Sequence, residues 1–129
     1  MWNLYWNEEY TSMDDSQKVL DIIIQLNCKY IIDTKPMIVQ VENSDGDRMC
    51  IGIGNSEGYS FIDFFPFDGS NSKHVEGENI GDGTISFCMG DYESEFYINE
   101  TISYLTAINV LKKFLLYNKL DELVKWIND

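Results

Sequence analysis

Asn43-Ser44-Asp45-Gly46-Asp47 joins two runs, Ile38–Glu42 and Arg48–Ile53, that are rich in β-branched and apolar residues. An Asp-Gly pair in such a link is a strong hairpin signal, because glycine accepts the positive φ that the turn needs. The chain must therefore build an antiparallel sheet. More strands follow. Tyr59–Phe65 is apolar and aromatic and stops at Pro66, which cannot donate to a central ladder. Thr84–Met89 and Glu95–Ile98 form a second hairpin across Gly90-Asp91-Tyr92-Glu93-Ser94. Between the two hairpins, Phe67 to Gly83 reads as a long polar loop. Trp2, Tyr5 and Trp6 predict an N-terminal strand.

Helices bracket these strands. Ser12, with Asp15 three residues on, has capping-box spacing for a first helix. Val19, Leu20, Ile23, Leu26 and Tyr30 then recur at helical intervals, and Pro36 closes the segment. Asn99 or Thr101 can cap a second helix. Its apolar stripe is Ile102, Leu105, Ile108, Leu111 and Leu115, and Asn118 is placed as a left-handed C-cap. The tail Leu120–Ile127 reads equally as a helical turn or a short strand. The expected architecture is α+β: one domain over residues 1–129, with an antiparallel sheet of five to six strands packed by two long helices.

The chain has 129 residues, 44% of them hydrophobic and 14% aromatic, enough for one packed core. Its charge narrows the choice of partners. The net charge is −13, distributed unevenly. Residues 1–41 carry six acids and three bases, residues 42–100 thirteen acids and two bases, and residues 101–129 three acids and four bases. The middle segment alone is at −11. Such a surface repels phosphates and anionic lipid heads, which argues against direct nucleic-acid or membrane binding and for a basic partner. The longest run free of charge and histidine is the eleven residues Thr101–Leu111, short of the roughly 20 that span a bilayer. The N-terminus lacks the basic and apolar regions of a signal peptide. Cys28, Cys50 and Cys88 are odd in number and far apart, which suits reduced, largely buried thiols in a cytoplasmic protein.

Motifs for chemistry are weak. Gly52-Ile53-Gly54 begins like a dinucleotide loop, but Glu57 takes the position of the third glycine and a strand follows, so no helix N-terminus faces a phosphate. The bland reading is a strand that needs small residues. His74 is the only histidine and has no cysteine near it in sequence, so no zinc set is expected. The glycine of Asn43–Asp47 is misplaced for a calcium loop. A Cys88–His74 pair would have to join a strand to a polar loop. No catalytic residue, metal or cofactor is assigned. The candidate sites are partner-binding carboxylates in loops, Glu76, Glu78, Asp82, Asp91 and Glu93, with Tyr92 as an aromatic anchor at a hairpin tip.

The order of these pieces resembles a known family. An aromatic N-terminal strand precedes a helix, and a hairpin ends in Ile51-Gly52-Ile53-Gly54 before an aromatic strand. Gly90 leads into Glu95-Phe96-Tyr97-Ile98-Asn99. A helix follows with Ala107 and Leu111-Lys112-Lys113-Phe114-Leu115, and Trp126 stands near the end. The pattern resembles the first-numbered immunity-protein family of bacterial polymorphic toxin systems, over most of the chain and best from Met37 to Trp126. It departs from the family between the last helix and the Trp, where Asn118-Lys119-Leu120-Asp121 replaces the usual Gly and Pro. The resemblance implies a small, intracellular, non-enzymatic protein that neutralises a cognate toxin domain, often a nucleic-acid deaminase. The family shares no catalytic motif, so no site residue carries over. An acidic adaptor module unrelated to toxins is the alternative expectation.

Overall fold

The computed structural model describes all residues from Met1 to Asp129. Eleven strands and two helices follow in the order β1 Trp2–Trp6, β2 Glu9–Met13, α1 Ser16–Ile32, β3 Met37–Glu42, β4 Arg48–Ile53, β5 Tyr59–Ser60, β6 Ile62–Phe65, β7 Lys73–Val75, β8 Thr84–Met89, β9 Tyr92–Tyr97, β10 Ile102–Ser103, α2 Tyr104–Tyr117 and β11 Trp126–Asn128. The class is α+β, as expected, but the main sheet is larger than five or six strands. It has nine, seven of them in the order β11-β7-β6-β4-β3-β1-β2. β8 and β9 form a hairpin that joins β3 through one parallel bridge at Met37–Cys88. β5 and β10 make a separate small ribbon.

The extra strands arise where the sequence signal is short. β1 and β2 are joined by Asn7-Glu8, with φ of 41° and 66°. Two positive φ values are what a tight two-residue hairpin turn needs, and here a glutamate holds one of them. Ser12 therefore lies in β2, where its hydroxyl donates to Asn3 Oδ1 at 2.6 Å. Asp15 is the N-cap instead, accepting from the backbone N–H of Gln17 and Lys18 at 3.0 and 3.2 Å. The long polar loop contains β7. The single strand expected over Tyr59–Phe65 breaks at Phe61 into β5 and β6. Ser103, not Asn99 or Thr101, caps α2, accepting from Thr106 N–H at 3.1 Å. Asn118 ends α2 in the left-handed conformation at φ 53°. The tail resolves into a turn followed by β11, anchored by Trp126 Nε1 donating to Asp121 O at 2.9 Å.

One face of the sheet packs both helices. Leu4, Val39, Val41, Met49, Ile51, Ile53 and Phe64 meet Val19, Leu20 and Ile23 of α1 and Ala107, Val110, Leu111 and Phe114 of α2 in one buried cluster. A smaller cluster of Ile38, Cys50, Phe61 and Phe87 lies on the opposite face, where the β8–β9 hairpin folds over one end of the sheet. Phe61 stacks on Phe96 at 4.4 Å and meets Phe87 edge-on at 5.3 Å. Gly52 makes room for these rings. A Cβ there would come within 2.7 Å of Phe87 and 2.8 Å of Phe61, so the small residue in this strand serves aromatic packing. The rest of that face is open. No helix is long and apolar enough to cross a membrane.

Candidate functional site

Antiparallel register sets side chains of neighbouring strands side by side on one face. On the open face it aligns Tyr10, Tyr5, Gln40, Cys50, Asp63, His74 and Ile127 in one row across seven strands. A neighbouring row holds Ser12, Asn3, Glu42, Arg48 and Phe65. The two rows are hydrogen-bonded on the β1–β2 side. Tyr10 Oη donates to Asn3 Oδ1 at 3.1 Å, and Asn3 Nδ2 donates to Glu42 Oε1 at 3.0 Å. Arg48 lies 5.4 Å from the Phe65 ring centre.

Asp63 sits near the middle of this face. It borders two hollows, one of about 580 Å³ toward β7 and β11 and one of about 270 Å³ toward the hairpin. The larger hollow is walled by Asp63, His74, Glu76, Glu100 and Asp129 over a floor that includes Phe61 and Phe96. Burial pushes the Asp63 carboxyl up to about 6, the nearby Asp129 carboxylate adds to the shift, and His74 opposes it. Asp129 is held below the usual carboxylate range by hydrogen bonds, first from His74 at 2.6 Å and then from Ser72 at 2.8 Å. Burial pushes the Cys50 thiol up to about 12, with Asp63 adding to the shift. This face is thus a shallow acidic surface with aromatic rings at both ends. Cys50 is a poor nucleophile here, because its thiol is raised and its lateral neighbours are Gln40 and Asp63.

The thiols give a direct test of this geometry. Cys28 is exposed, Cys88 half-buried and Cys50 buried, so the three are not uniformly hidden as the sequence reading expects. A helix exposes one side to water, and Cys28 falls on that side of α1. At pH 8 a thiol with a pKa near 12 holds only about one part in 10,000 as thiolate. Alkylation of the native protein should show one fast phase that Cys28→Ser abolishes. Cys50 should react only after unfolding, and fast native labelling of Cys50 would contradict its placement.

The structure does not bring the partner-binding residues expected from sequence together. Glu76 borders the larger hollow, and Lys125 lies 3.7 Å away in a mostly exposed pair worth little. Asp82 is exposed and makes no side-chain hydrogen bond. Glu78 has a fold role, because its Oε1 accepts from Ser103 N–H at 3.2 Å and Thr106 Oγ1 at 2.9 Å at the start of α2. The expectation that carboxylates of this loop carry no structural duty is wrong for Glu78. The loop is itself pinned, since Glu78 and Asn79 N–H donate to Thr101 O. A Cβ on Gly77 would lie 2.0 Å from Asn99 O.

Asp91, Tyr92 and Glu93 lie at the other end of the hairpin, roughly 17 Å away along six residues of strand. They do not form one patch. Tyr92 begins β9, so alternation sets it with Ser94 and Phe96, while Glu93 falls with Glu95 and Tyr97 on the opposite face. Tyr92 and Asp91 instead share a groove with Tyr5, Trp6 and Tyr10. Cys88 and His74 are not brought together. β4 and β6 separate β7 from β3, against which Cys88 is bridged.

Asp63, His74, Tyr5 and Tyr10 escape a reading by segment because lateral register, not sequence proximity, unites them. The available signal is strand parity. Once β6 is placed, Asp63 between Ile62 and Phe64 must face away from the core. The chain matches no protein-family model and no curated protein.

Proposed function

We propose that the chain is an intracellular immunity protein that binds a cognate toxin domain stoichiometrically and blocks its activity. The observation that carries this reading is where the charge lies. The segment at −11 supplies Asp63, Glu76, Glu100 and Asp91 to the open face and its rim. A toxin that attacks nucleic acid needs a basic cleft to hold phosphates. An acidic surface steers toward such a cleft and occupies it in place of the substrate. The resemblance to the immunity family supports the same reading.

Two measurements test it. Co-expression with the toxin domain encoded beside it should rescue growth only when the immunity protein is at least equimolar. Protection far below equimolar would point to an enzyme acting on the toxin or its product. Reversing Glu76, Asp82 and Glu100 together to Lys should slow association with that toxin by about tenfold at low salt and far less at high salt. An unchanged on-rate in a variant that melts near the parent would exclude this end of the face as the docking surface, and no binding to any neighbouring toxin would favour an unrelated acidic adaptor.

A further inference from the structure

The β1–β2 turn and the β8–β9 turn come together at one corner of the sheet. A Cβ on Gly90 would touch Glu8 Cγ at 3.4 Å, so the two turns abut. Between them lies a groove of about 490 Å³ whose rings on the open face are Tyr5, Tyr10 and Tyr92, while Trp6 borders it from β1 and turns its side chain toward the helix-packed core. Tyr10 is 57% and Tyr92 82% exposed, although large aromatic rings are costly to leave in water. Tyr5 and Tyr10 lie 4.9 Å apart and form a continuous ring surface. The remaining polar lining is Glu8, Glu9 and Asp91, and no lysine or arginine lines the groove. These three carboxylates and the Tyr92 hydroxyl make no hydrogen bond or ion pair within the chain. Glu8 is carried on a backbone with φ 66°, a conformation that a side chain with a Cβ seldom adopts.

Rings and carboxylates facing one groove suit one kind of guest. A purely apolar segment would strip water from three carboxylates without pairing them. A phosphate-bearing ligand would be repelled. A guanidinium stacks on tyrosine and tryptophan faces and donates to carboxylates from its edge. We propose that this groove holds an arginine side chain of a basic protein segment. The inference rests on the reading that the partner is basic, and it assigns the corner of the molecule that reads one partner residue.

Hexa-arginine is the probe, titrated into the ¹⁵N-labelled full chain at low salt. The expected result is saturable shifts centred on the Tyr5, Glu8, Tyr10, Asp91 and Tyr92 amides, with the Trp126 indole unmoved. Tyr92→Leu keeps an apolar side chain and loses the ring face, and it should weaken binding by about three- to fivefold, while Tyr92→Phe binds like the parent. Tyr92 makes no internal hydrogen bond, so both variants should fold. Lysine reversal at Glu76, Asp82 and Glu100 should leave these groove shifts in place. Binding with shifts spread evenly over the acidic loops and indifferent to Tyr92→Leu would overturn the groove and leave the basic-partner reading standing. No binding at low salt would overturn both.

Discussion

Phe87→Ala should cost about 3–5 kcal/mol, the usual range for removing a fully buried aromatic ring, and the loss should fall first on one hairpin. Phe87 belongs to the small cluster beneath β8–β9, separate from the twenty-residue core between sheet and helices. Its ring meets Phe61 at 5.3 Å and Phe96 at 5.9 Å, and the hairpin's one bridge to the main sheet is at Met37–Cys88. With the ring gone, the hairpin is held down by the Phe61–Phe96 stack and the bridge beside Pro36 and Met37, a much smaller contact than the main core. Hydrogen exchange should show the amides of β8 and β9 losing protection well before those of β3 and β4. Equal loss across all four strands would mean that the hairpin and main sheet form one cooperative unit. The result bears on function, because the hairpin carries Asp91 and Tyr92 and walls both hollows beside Asp63.

Asp63→Asn should stabilise the protein near neutral pH, on the order of 2 kcal/mol. The folded-state carboxyl titrates at about 6 and an unfolded aspartate near 3.9. Between those values the folded chain binds more protons than the unfolded one, so stability falls as pH rises through that window. Above it the full cost of a half-buried carboxylate is present, set by burial and by Asp129, with His74 relieving part of it. The other charged groups around the two hollows are Glu76, Glu100 and Arg48. The Asp63 side chain makes no hydrogen bond in the chain, so the isosteric amide loses no partner. Asp68 and Asp129 act in the opposite sense, because their depressed values make stability fall as pH drops below about 4. Melting points from pH 4 to pH 7.5 should decline for the parent up to about pH 6 and level off above it, and stay flat throughout for Asp63→Asn. Parallel curves would show that Asp63 is not the strained charge. If the proposed partner is basic, its binding should relieve the same cost, and the parent should bind it more tightly than Asp63→Asn.

Local chemistry determined a good part of this protein before any tertiary contact. Gly46, at φ 85°, turns the β3–β4 hairpin as its Asp-Gly pair requires, and Asn118 ends α2 in the left-handed conformation expected of it. The α+β class follows from runs whose apolar spacing alternates between two and 3.6 residues. The uneven charge is likewise written in the residues. Other features were hidden because their local signals are ambiguous. Asn7-Glu8 lacks the glycine that announces a two-residue turn, so β2 and its claim on Ser12 went unread. Lys73-His74-Val75 is too short to register as a strand without β6 and β11 beside it. Tyr59–Phe65 reads as one strand, yet Phe61 leaves the ladder to stack under the hairpin. Tertiary structure alone decided which acids share a surface. Glu78 was diverted to hold Ser103 and Thr106 at the start of α2, Tyr92 was turned away from Glu93 by one step of strand parity, and Asp63 and His74 were set side by side from opposite ends of a loop. A sheet face is assembled by register between strands distant in sequence, and that register depends on the whole set of paired strands rather than on any one segment.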